Sequence, residues 1–516
     1  MTFIINLIVF ILVLGVIIVI HEGGHFFFAK KAGILCHEFS IGMGPLLYQT
    51  SDGETKYSIR AIPIGGYVSM AGEAVSDAMF KKGDMIGLLL NDQKIVEEIV
   101  LFEGGKYDVI GTVVDFDMYG KNLAPLYIEI KTADDVIKYE VSRTAQYRLK
   151  KKQTMWVTPE EKSFEAKSLW QRVITIFGGP LMNFILAFVL FFFVGFFIFQ
   201  PNYDSNEIGD VSKDSLASSL GLEAGDEIVS INGQTIASWY DLSDVMSLND
   251  SVTLDLVINR DGTIMTFNDK NATVYIQSAG LSNTNDGEIY ADQAIVGQSS
   301  GRAATAGLKT GDIITEIDGS VIANWDDLIQ YFNQITDGRS IIVTYERDDI
   351  ERTASYDLIS VDDLEALGSS NIIFQIGVSS SGTFDLGYSL LYAPRQFASN
   401  VSEVFTTIGL LFGAGDSSIG VSDLSGPVGI FQLVSSVREN GFASLIIFMG
   451  FLSINIGILN LLPIPALDGG RLVFLGIEAI RRKPLNRKIE NTANLAMFFI
   501  LIAFILFVTF NDFLRI

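Results

Sequence analysis

Cysteine, histidine and basic residues are scarce in this chain of 516 residues. The single cysteine, Cys36, excludes an internal disulfide, and we interpret it as a small apolar filler rather than a metal ligand. Lys and Arg number 36 against 60 Asp and Glu, and the net charge of −24 argues against binding to nucleic acid. Only 3 histidines are present, and two of them, His21 and His25, lie four residues apart.

Apolar residues, by contrast, are abundant: they make up 49% of the chain, and the mean hydropathy is +0.36. This is too apolar for an ordinary soluble protein and too charged for membrane helices alone, so we expect membrane spans together with soluble domains. Four apolar runs approach the length of about 20 residues that crosses a bilayer. They comprise residues 3–20, 173–199, 443–462 and 493–510.

The distribution of charge predicts how these spans are oriented. Basic residues cluster in the stretches 30–172 and 471–488, which the positive-inside rule places in the cytoplasm. The stretch 201–440 carries nearly all of the excess negative charge and is expected outside, as are both termini. The first span therefore runs inward and ends near the cytoplasm.

The most specific motif stands at the end of the first apolar run, where the sequence reads His21-Glu22-Gly23-Gly24-His25. Two histidines four apart share one face of a helix, which suits two imidazole ligands of zinc with the glutamate free to act as a base. Ionisable residues in membrane segments are costly and are functional candidates by default. The competing interpretations are a helix end at the membrane surface and a signal peptide. No basic residue precedes the run and no cleavage site follows it, which disfavours a signal peptide.

A catalytic zinc usually has three protein ligands and an open position for water, so a third ligand is required. Asp468 follows the third apolar run, at the same expected depth as His21 and His25. Pro463 and Pro465 must interrupt the helix before it, and the freed backbone groups are tolerated at membrane depth only inside protein or a wet cavity. Asp468 is therefore either the third ligand or the cap of the next helix, and the histidine motif favours the ligand.

The outer stretch contains an internal repeat with an offset of about 86 residues. Segments 221–233 and 307–319 share the pattern Gly-Leu-x-x-Gly-Asp-x-Ile-x-x-Ile-x-Gly, and Trp239 matches Trp325. The pattern resembles that of bacterial PDZ domains, which bind an extended peptide at a sheet edge. The two repeats are expected either to clamp a peptide or to shield a membrane site by their bulk.

Two further segments lie between the first two spans. Residues 56–72 form a hairpin-like stretch that is apolar enough to touch the membrane. Residues 73–167 form an insert of mixed, partly alternating strand character, and nothing in it resembles a catalytic motif.

Together these motifs resemble the bacterial branch of the site-2 protease family, which are intramembrane zinc metalloproteases. Besides the histidine motif, the resemblance rests on Gly-Pro-Leu-Met-Asn at 179–183 and on the segment 460–469, with further matches at 39–45, 63–67 and 424–430. It extends over nearly the whole chain except the insert, which is larger than the family generally requires.

The resemblance implies Zn²⁺ as the cofactor, with His21, His25 and Asp468 as ligands and Glu22 as the general base. The segment 57–68 is similar to the membrane-reentrant β-loop of the family, which is thought to hold substrate as an added strand. The positions that handle substrate in the family correspond to Tyr57, Ile59, Ile62, Gly65, Gly66, Asn183, Asn460, Pro463 and Pro465.

The expected fold is a multi-pass α-helical membrane protein with four spans, two extracytoplasmic α+β PDZ domains and a cytoplasmic β-rich insert. The expected boundaries are 1–30 for the first span with the histidine motif, 31–72 for the hairpin region, 73–168 for the insert, 169–200 for the second span, 203–280 and 288–368 for the PDZ domains, 380–440 for an amphipathic region, 443–470 for the third span with Asp468, 471–492 for a basic loop and 493–511 for the fourth span.

These features predict a bacterial plasma-membrane enzyme that cuts single-span membrane proteins within or near the bilayer, such as anti-sigma factors, or remnants of signal peptides. The expected partners are these transmembrane substrates, peptide or protein ligands of the PDZ domains, and membrane lipid, with no nucleic acid. The alternative from a different class is a non-catalytic PDZ scaffold or chaperone, which has no need of both Glu22 and Asp468.

Overall fold

The computed structural model describes residues 2–72, 79–102, 104–132, 135–151, 153–285, 287–412, 417–439 and 441–514. Residues 73–78, where the predicted insert begins, and residue 440, where the predicted amphipathic region ends, lie outside the described residues. The chain divides into two compact units, Met1–Ala187 with Phe448–Phe499, and Phe188–Ile447 with Ile500–Ile516.

The described residues form twelve α-helices. They are α1 Thr2–Lys31, α2 Leu169–Gly195, α3 Leu216–Ser219, α4 Trp239–Ser247, α5 Gly301–Thr305, α6 Trp325–Asn333, α7 Val361–Ala366, α8 Leu386–Phe412, α9 Pro427–Glu439, α10 Phe442–Leu461, α11 Asp468–Arg481 and α12 Arg487–Leu514.

Four of these helices contain stretches long and apolar enough to cross a membrane. The stretches are Phe3–Lys31, Leu169–Gly195, Phe442–Leu461 and Lys488–Phe513, and each predicted apolar run lies largely within one of them. Within α1 there is no proline, and Lys30 and Lys31 occupy its last turn, where positive charge complements the helix dipole. The expected multi-pass helical membrane protein is confirmed at this level.

The third of these helices, α10, ends where the sequence predicts it to break. Pro463 and Pro465 follow it and cannot donate backbone hydrogen bonds, and Ala466 adopts a left-handed φ of 72°. Helix α11 then begins at Asp468. The break therefore delivers Asp468 at the start of a new helix.

The hairpin region consists of β1, Cys36–Asp52, and β2, Thr55–Met70. The two strands pair over several segments, with irregular register between them. Residues 38–41 pair with 56–59 and also with 66–69, so this part of β1 lies between two parts of β2. Among the described residues, 66–69 therefore pair with β1 along one edge, and no strand pairs with their other edge.

The insert is β-rich, as expected, with six strands among its described residues. They are β3 Met85–Leu90, β4 Val96–Val100, β5 Val109–Asp117, β6 Leu126–Lys131, β7 Val136–Lys150 and β8 Gln153–Trp156. The order is β4-β3-β5-β6-β7-β8, and a further pairing of β4 with β7 closes the first five strands on themselves. Leu88, Ile99, Ile128 and Ile130 fill the core inside this closed sheet.

The second unit contains the remaining strands of the described chain. They are β9 Gln200–Pro201, β10 Ile208–Val211, β11 Glu227–Ile231, β12 Gln234–Thr235, β13 Thr253–Arg260, β14 Thr263–Asn271, β15 Thr273–Ile276, β16 Leu281–Ser282, β17 Thr284–Asn285, β18 Glu288–Ile289, β19 Gln298–Ser299, β20 Ile313–Ile317, β21 Ser320–Val321, β22 Ser340–Arg347, β23 Ile350–Asp357, β24 Ile372–Gln375, β25 Val378–Ser380 and β26 Gly382–Thr383.

The sequence repeat corresponds to a repeat of structure. The first copy forms a sheet of order β12-β11-β13-β14, and the second forms one of order β21-β20-β22-β23. Each copy also contains an ion pair at an equivalent place, Asp226 with Arg260 and Asp312 with Arg347, both at 2.6 Å. The two aspartates follow the matched glycines of the repeat pattern, so the same polar contact is formed twice.

The segment that follows the second repeat returns to the first. Strand β24 pairs with β15, and β25 pairs with β10. A cavity of about 430 Å³ lies between α4 and residues 370–378 and is lined by Trp239, Leu242, Met246 and Phe374 among others. The first repeat thus has an open groove between its helix and a strand that comes from beyond the predicted boundary at 280.

Candidate metal centre

The two motif histidines lie on one face of α1, as their spacing predicts. His21 and His25 are each 8% exposed, and their ring centroids are 4.9 Å apart. Their Nε2 atoms approach to 3.3 Å. Both side chains therefore direct the same nitrogen to one point beside the helix.

Asp468 supplies the third atom at that point. Its Oδ2 lies 3.2 Å from Nε2 of His21 and 3.3 Å from Nε2 of His25. In spite of these distances, Oδ2 is buried without a hydrogen bond of acceptable geometry among the described residues. Leu467, not Asp468, is the N-cap of α11, and no side chain caps that helix. The contact thus favours the predicted ligand over the helix cap.

The Nδ1 atom of each ring faces a different group. Nδ1 of His25 lies 2.9 Å from the carbonyl oxygen of Thr175, and because a carbonyl only accepts, this nitrogen carries the proton. In the neutral ring, Nε2 of His25 then has a free lone pair directed at the common point. A second partner that fixes the tautomer in this way is typical of histidines that bind metal.

The partner of His21 is Asn183 of α2, at 3.2 Å from Asn183 Nδ2 to His21 Nδ1. As placed, the amide leaves its Oδ1 buried without a hydrogen bond within the described residues. A half-turn of the amide lets Oδ1 accept a hydrogen bond from Nδ1–H, and this is the arrangement required if Nε2 of His21 binds a metal. Ser453 in turn donates to the carbonyl of Asn183 at 2.8 Å.

Glycines make the close approach of α1 and α2 possible. A Cβ on Gly24 would lie 2.1 Å from the carbonyl oxygen of Gly178, and a Cβ on Gly179 would lie 2.3 Å from Nε2 of His25. Small residues at helix contacts in membranes allow backbones to approach in this way. Gly179 therefore leaves free the space into which the two imidazoles point.

The spacing of the three ligand atoms fits zinc. Bonds of 2.0–2.1 Å in tetrahedral geometry place neighbouring ligand atoms about 3.3 Å apart. The observed separations are 3.3, 3.2 and 3.3 Å. These three side chains form a possible metal-binding group within the described residues. Two imidazoles and one carboxylate also leave the fourth tetrahedral position for water or substrate.

Glu22 lies on α1 between the two histidines, next to the end of β2. Its Cγ is 3.2 Å from where a Cβ on Gly66 would be, so this glycine keeps the space beside Glu22 open. Gly65, with a φ of 87°, stands next to it and packs against Met43. The structure thus brings the predicted residue Gly66 to the glutamate, with Gly65 next to it in the chain.

The other predicted substrate-handling residues lie elsewhere in the same unit. Tyr57 and Ile59 pair with residues of β1 on both sides, and Ile62 pairs with Met43. Asn460 lies in the last turn of α10, and Pro463 and Pro465 form the turn that leads to Asp468. Asn183 contacts a histidine, which the sequence did not indicate.

Sequence reasoning missed Thr175, because it acts through its backbone carbonyl and any residue type can supply that group. It also missed the ion pair between Arg172 and Glu478. A signal for Asn183 was present, since an amide in an apolar helix needs a partner. The sequence alone did not indicate which partner this is.

Comparisons with known proteins give matches over nearly the whole chain. The sequence profile described as peptidase family M50 matches residues 9–504. The chain is 31% identical over 516 residues to the regulator of sigma-W protease RasP of Bacillus subtilis, covering 99% of each protein. It is 30% identical to the zinc metalloprotease RasP of Shouchella clausii, with 98% of each covered, and 30% identical to that of Bacillus licheniformis, with 99% of each covered.

Proposed function

The chain belongs to peptidase family M50 and is a membrane zinc metalloendopeptidase, and we propose that it cuts single-span membrane proteins within or near their transmembrane segments. The observation that carries the proposal is the convergence of His21, His25 and Asp468 beside Glu22 in helices apolar enough for a bilayer. A hydrolytic centre at that depth can reach only bonds that lie in or close to the membrane.

In this proposal His21 and His25 bind zinc through Nε2, and Asp468 binds it through a carboxylate oxygen. The metal, when bound, lowers the pKa of a water to about 7 and polarises the scissile carbonyl. Glu22 accepts a proton from the attacking water and returns it to the leaving amine. Thr175 and Asn183 hold the two imidazoles with their Nε2 lone pairs turned to the metal.

The hairpin supplies what an unwound substrate lacks. A transmembrane helix must lose hydrogen bonds locally before its backbone can be attacked, and each freed group needs a new partner in a dry environment. Residues 66–69 of β2 are paired on one side and begin next to Glu22, so they offer a strand edge at the right place. We assign substrate pairing to this edge, with Gly65 and Gly66 beside the reacting bond.

The orientation that follows from the charge distribution completes the proposal. The hairpin, the insert and the basic loop 471–492 face the cytoplasm, while both termini and the two PDZ-like repeats lie outside a bacterial plasma membrane. The groove between α4 and residues 370–378 is where a peptide ligand would be clamped, and a shielding role for the repeats is the alternative. The predicted segment boundaries remain part of this proposal, and residues 370–378 are added to the first repeat, whose groove they line.

The name of one relative indicates a class of substrate. Because that relative is called a regulator of sigma-W protease, we extend to this chain the cleavage of membrane-bound regulators of sigma factors. Remnants of signal peptides are the second substrate class, since the chemistry of cleavage is the same for both.

The test is Glu22→Gln in the full chain, reconstituted in lipid vesicles with a model single-span substrate. General-base catalysis typically contributes about 10²–10⁴-fold, so cleavage should fall by at least that lower factor. Zinc content and thermal unfolding should remain as in the wild type, because the substitution keeps the shape of the side chain. Cleavage at the wild-type rate would refute the assignment of Glu22.

The same preparation distinguishes the alternatives. A non-catalytic scaffold would bind no zinc, even after zinc is added. Offering a regulator-like substrate and a signal-peptide remnant to one enzyme sample gives the ratio of kcat/KM values, and this ratio identifies the preferred class.

A further inference from the structure

The helix that carries Asp468 and the turn before it are each attached to a neighbouring helix by a side chain outside the metal centre. We propose that both attachments position Asp468 against His21 and His25, and that Arg172, Glu478 and Asn494 are therefore positioning residues of the zinc site. The inference rests on the proposed ligation of zinc by Asp468.

The first attachment is an ion pair between α2 and α11. Arg172 Nη1 donates to Glu478 Oε2 at 3.0 Å, and Nη2 donates to Oε1 at 2.5 Å. The side chains are only 11% and 19% exposed. A paired guanidinium and carboxylate in this two-bond arrangement restrict both distance and angle, which a single contact does not.

The position of this pair relates it to the metal centre. Arg172 lies one helical turn before Thr175, whose carbonyl holds His25. Glu478 lies about 15 Å along α11 from Asp468, given a rise of 1.5 Å per residue. The same stretch of α2 therefore holds both His25 and the helix that begins with Asp468.

The second attachment restrains the turn before Asp468. Oδ1 of Asn494, on α12, accepts a hydrogen bond from the backbone N–H of Ala466 at 3.0 Å. Ala466 has a φ of 72°, which residues with a side chain rarely adopt. This turn lies between two helices and lacks regular helical hydrogen bonds, so the amide of Asn494 replaces one of them.

Asp468 needs such restraints because no hydrogen bond to its Oδ2 from the described residues holds the side chain in place. Oδ2 is buried and makes no hydrogen bond of acceptable geometry with the described residues. Its place near the two Nε2 atoms is consequently set by the backbone of α11. Metal ligands must be held within a fraction of an ångström, so the contacts that fix α11 determine how well the site binds zinc.

The test compares zinc affinity and kinetics of full-length variants in vesicles, with a zinc-selective chelator as competitor. Arg172→Met and Asn494→Leu should each weaken zinc binding by about tenfold, the lower end for residues that support metal ligands. At saturating zinc, kcat should fall while KM for a transmembrane substrate stays within twofold. Asn494→Asp keeps an acceptor for Ala466 and should retain wild-type affinity.

Two controls separate positioning from general stability. Arg339→Met removes an exposed pair in which Nε and Nη2 donate to the two oxygens of Asp337, and should leave zinc affinity unchanged. The exchanged pair Arg172→Glu with Glu478→Arg should recover most of the affinity lost in Arg172→Met.

Zinc affinity within twofold of wild type in Asn494→Leu, or in folded Arg172→Met, would overturn the inference. If Arg172→Met does not fold, Asn494→Leu alone decides, because Ala466 is exposed and the loss of its partner leaves no buried polar group unsatisfied there. A failure of the proposed function gives a different result. If His21 is not a zinc ligand, the His21→Ala variant will bind as much zinc as the wild type.

Discussion

The metal centre and the two repeats use polar and small residues in opposite ways. At the metal centre, three polar atoms from α1 and α11 converge on one point, and glycines leave the space around them open. In the repeats, the buried Asp226 and Asp312 each pair with an arginine, and large side chains such as Trp325 and Phe332 fill the core.

The difference shows which demands shaped each region. The repeats are organised to fold, since every buried polar group in the two ion pairs is satisfied within the chain. On the proposed ligation, the metal centre is organised to bind, because its three ligand atoms are complete only when a cation joins them. Changes in the first region should therefore affect stability, and changes in the second should affect zinc and catalysis.

The largest expected effect comes from filling the metal centre. In Gly179→Ala the new methyl group would lie 2.3 Å from Nε2 of His25 and 2.8 Å from Nε2 of His21. Zinc affinity should fall by at least about a hundredfold, the upper end for changes next to metal ligands, and cleavage should fall with it. Metal analysis and a cleavage assay measure both.

The control for this variant is Gly23→Ala, since no other described residue places an atom within 4 Å of the position of its Cβ, apart from its chain neighbours and the backbone of α1. It should keep zinc, and thermal unfolding of the repeats should be the same in both variants. Normal zinc binding by Gly179→Ala would show that this glycine is not needed to keep space free beside the imidazoles. The contrast between an open metal centre and the filled cores of the repeats would then be lost.

A moderate effect is expected from the core of the second repeat. Trp325 is 0% exposed and donates from Nε1 to the carbonyl of Ile295 at 2.9 Å, so Trp325→Ala should destabilise the protein by about 3–5 kcal/mol. The equivalent Trp239 lines the open groove of the first repeat, and Trp239→Ala should cost less. Denaturant unfolding gives both values, and zinc content should not change. Equal costs would argue that the two repeats are packed alike.

The smallest effect concerns the third histidine, which lies outside the metal centre. Burial, helped by the positive charge of Lys56, lowers the pKa of His37 to about 4. The folded state therefore favours the neutral ring, and the unfolded chain, with a pKa near 6.5, binds a proton first. Stability should fall as the pH is lowered from about 6.5 towards 4.

His37→Gln should remove this part of the pH dependence, which thermal unfolding between pH 7 and pH 5 would reveal. The variant keeps a polar group near Thr158, whose hydroxyl lies 3.3 Å from Nε2 of His37. An unchanged slope would mean that other groups cause the loss of stability in acid.

Much of the candidate site could be predicted from sequence because its strongest signals are local. The spacing of His21 and His25 fixes them on one helical face, and the prolines before Asp468 require a break in the helix. The repeat was visible because its glycines and aspartates recur in register. The resemblance implies a substrate-handling role for Asn183, and its contact with His21 could not be predicted, since α1 and α2 are separated by the hairpin and the insert.

The sequence by itself therefore determined the ligand types, the apolar helices and the repeated sheets, because helix periodicity, hydropathy and turn chemistry depend on neighbouring residues. Only the tertiary structure decided which atoms meet. The contact of Asp468 with both imidazoles, the carbonyl of Thr175 behind His25 and the open side of residues 66–69 all depend on how separate helices and strands pack. That packing is set by shape complementarity between distant segments, such as the glycines that let α1 approach α2.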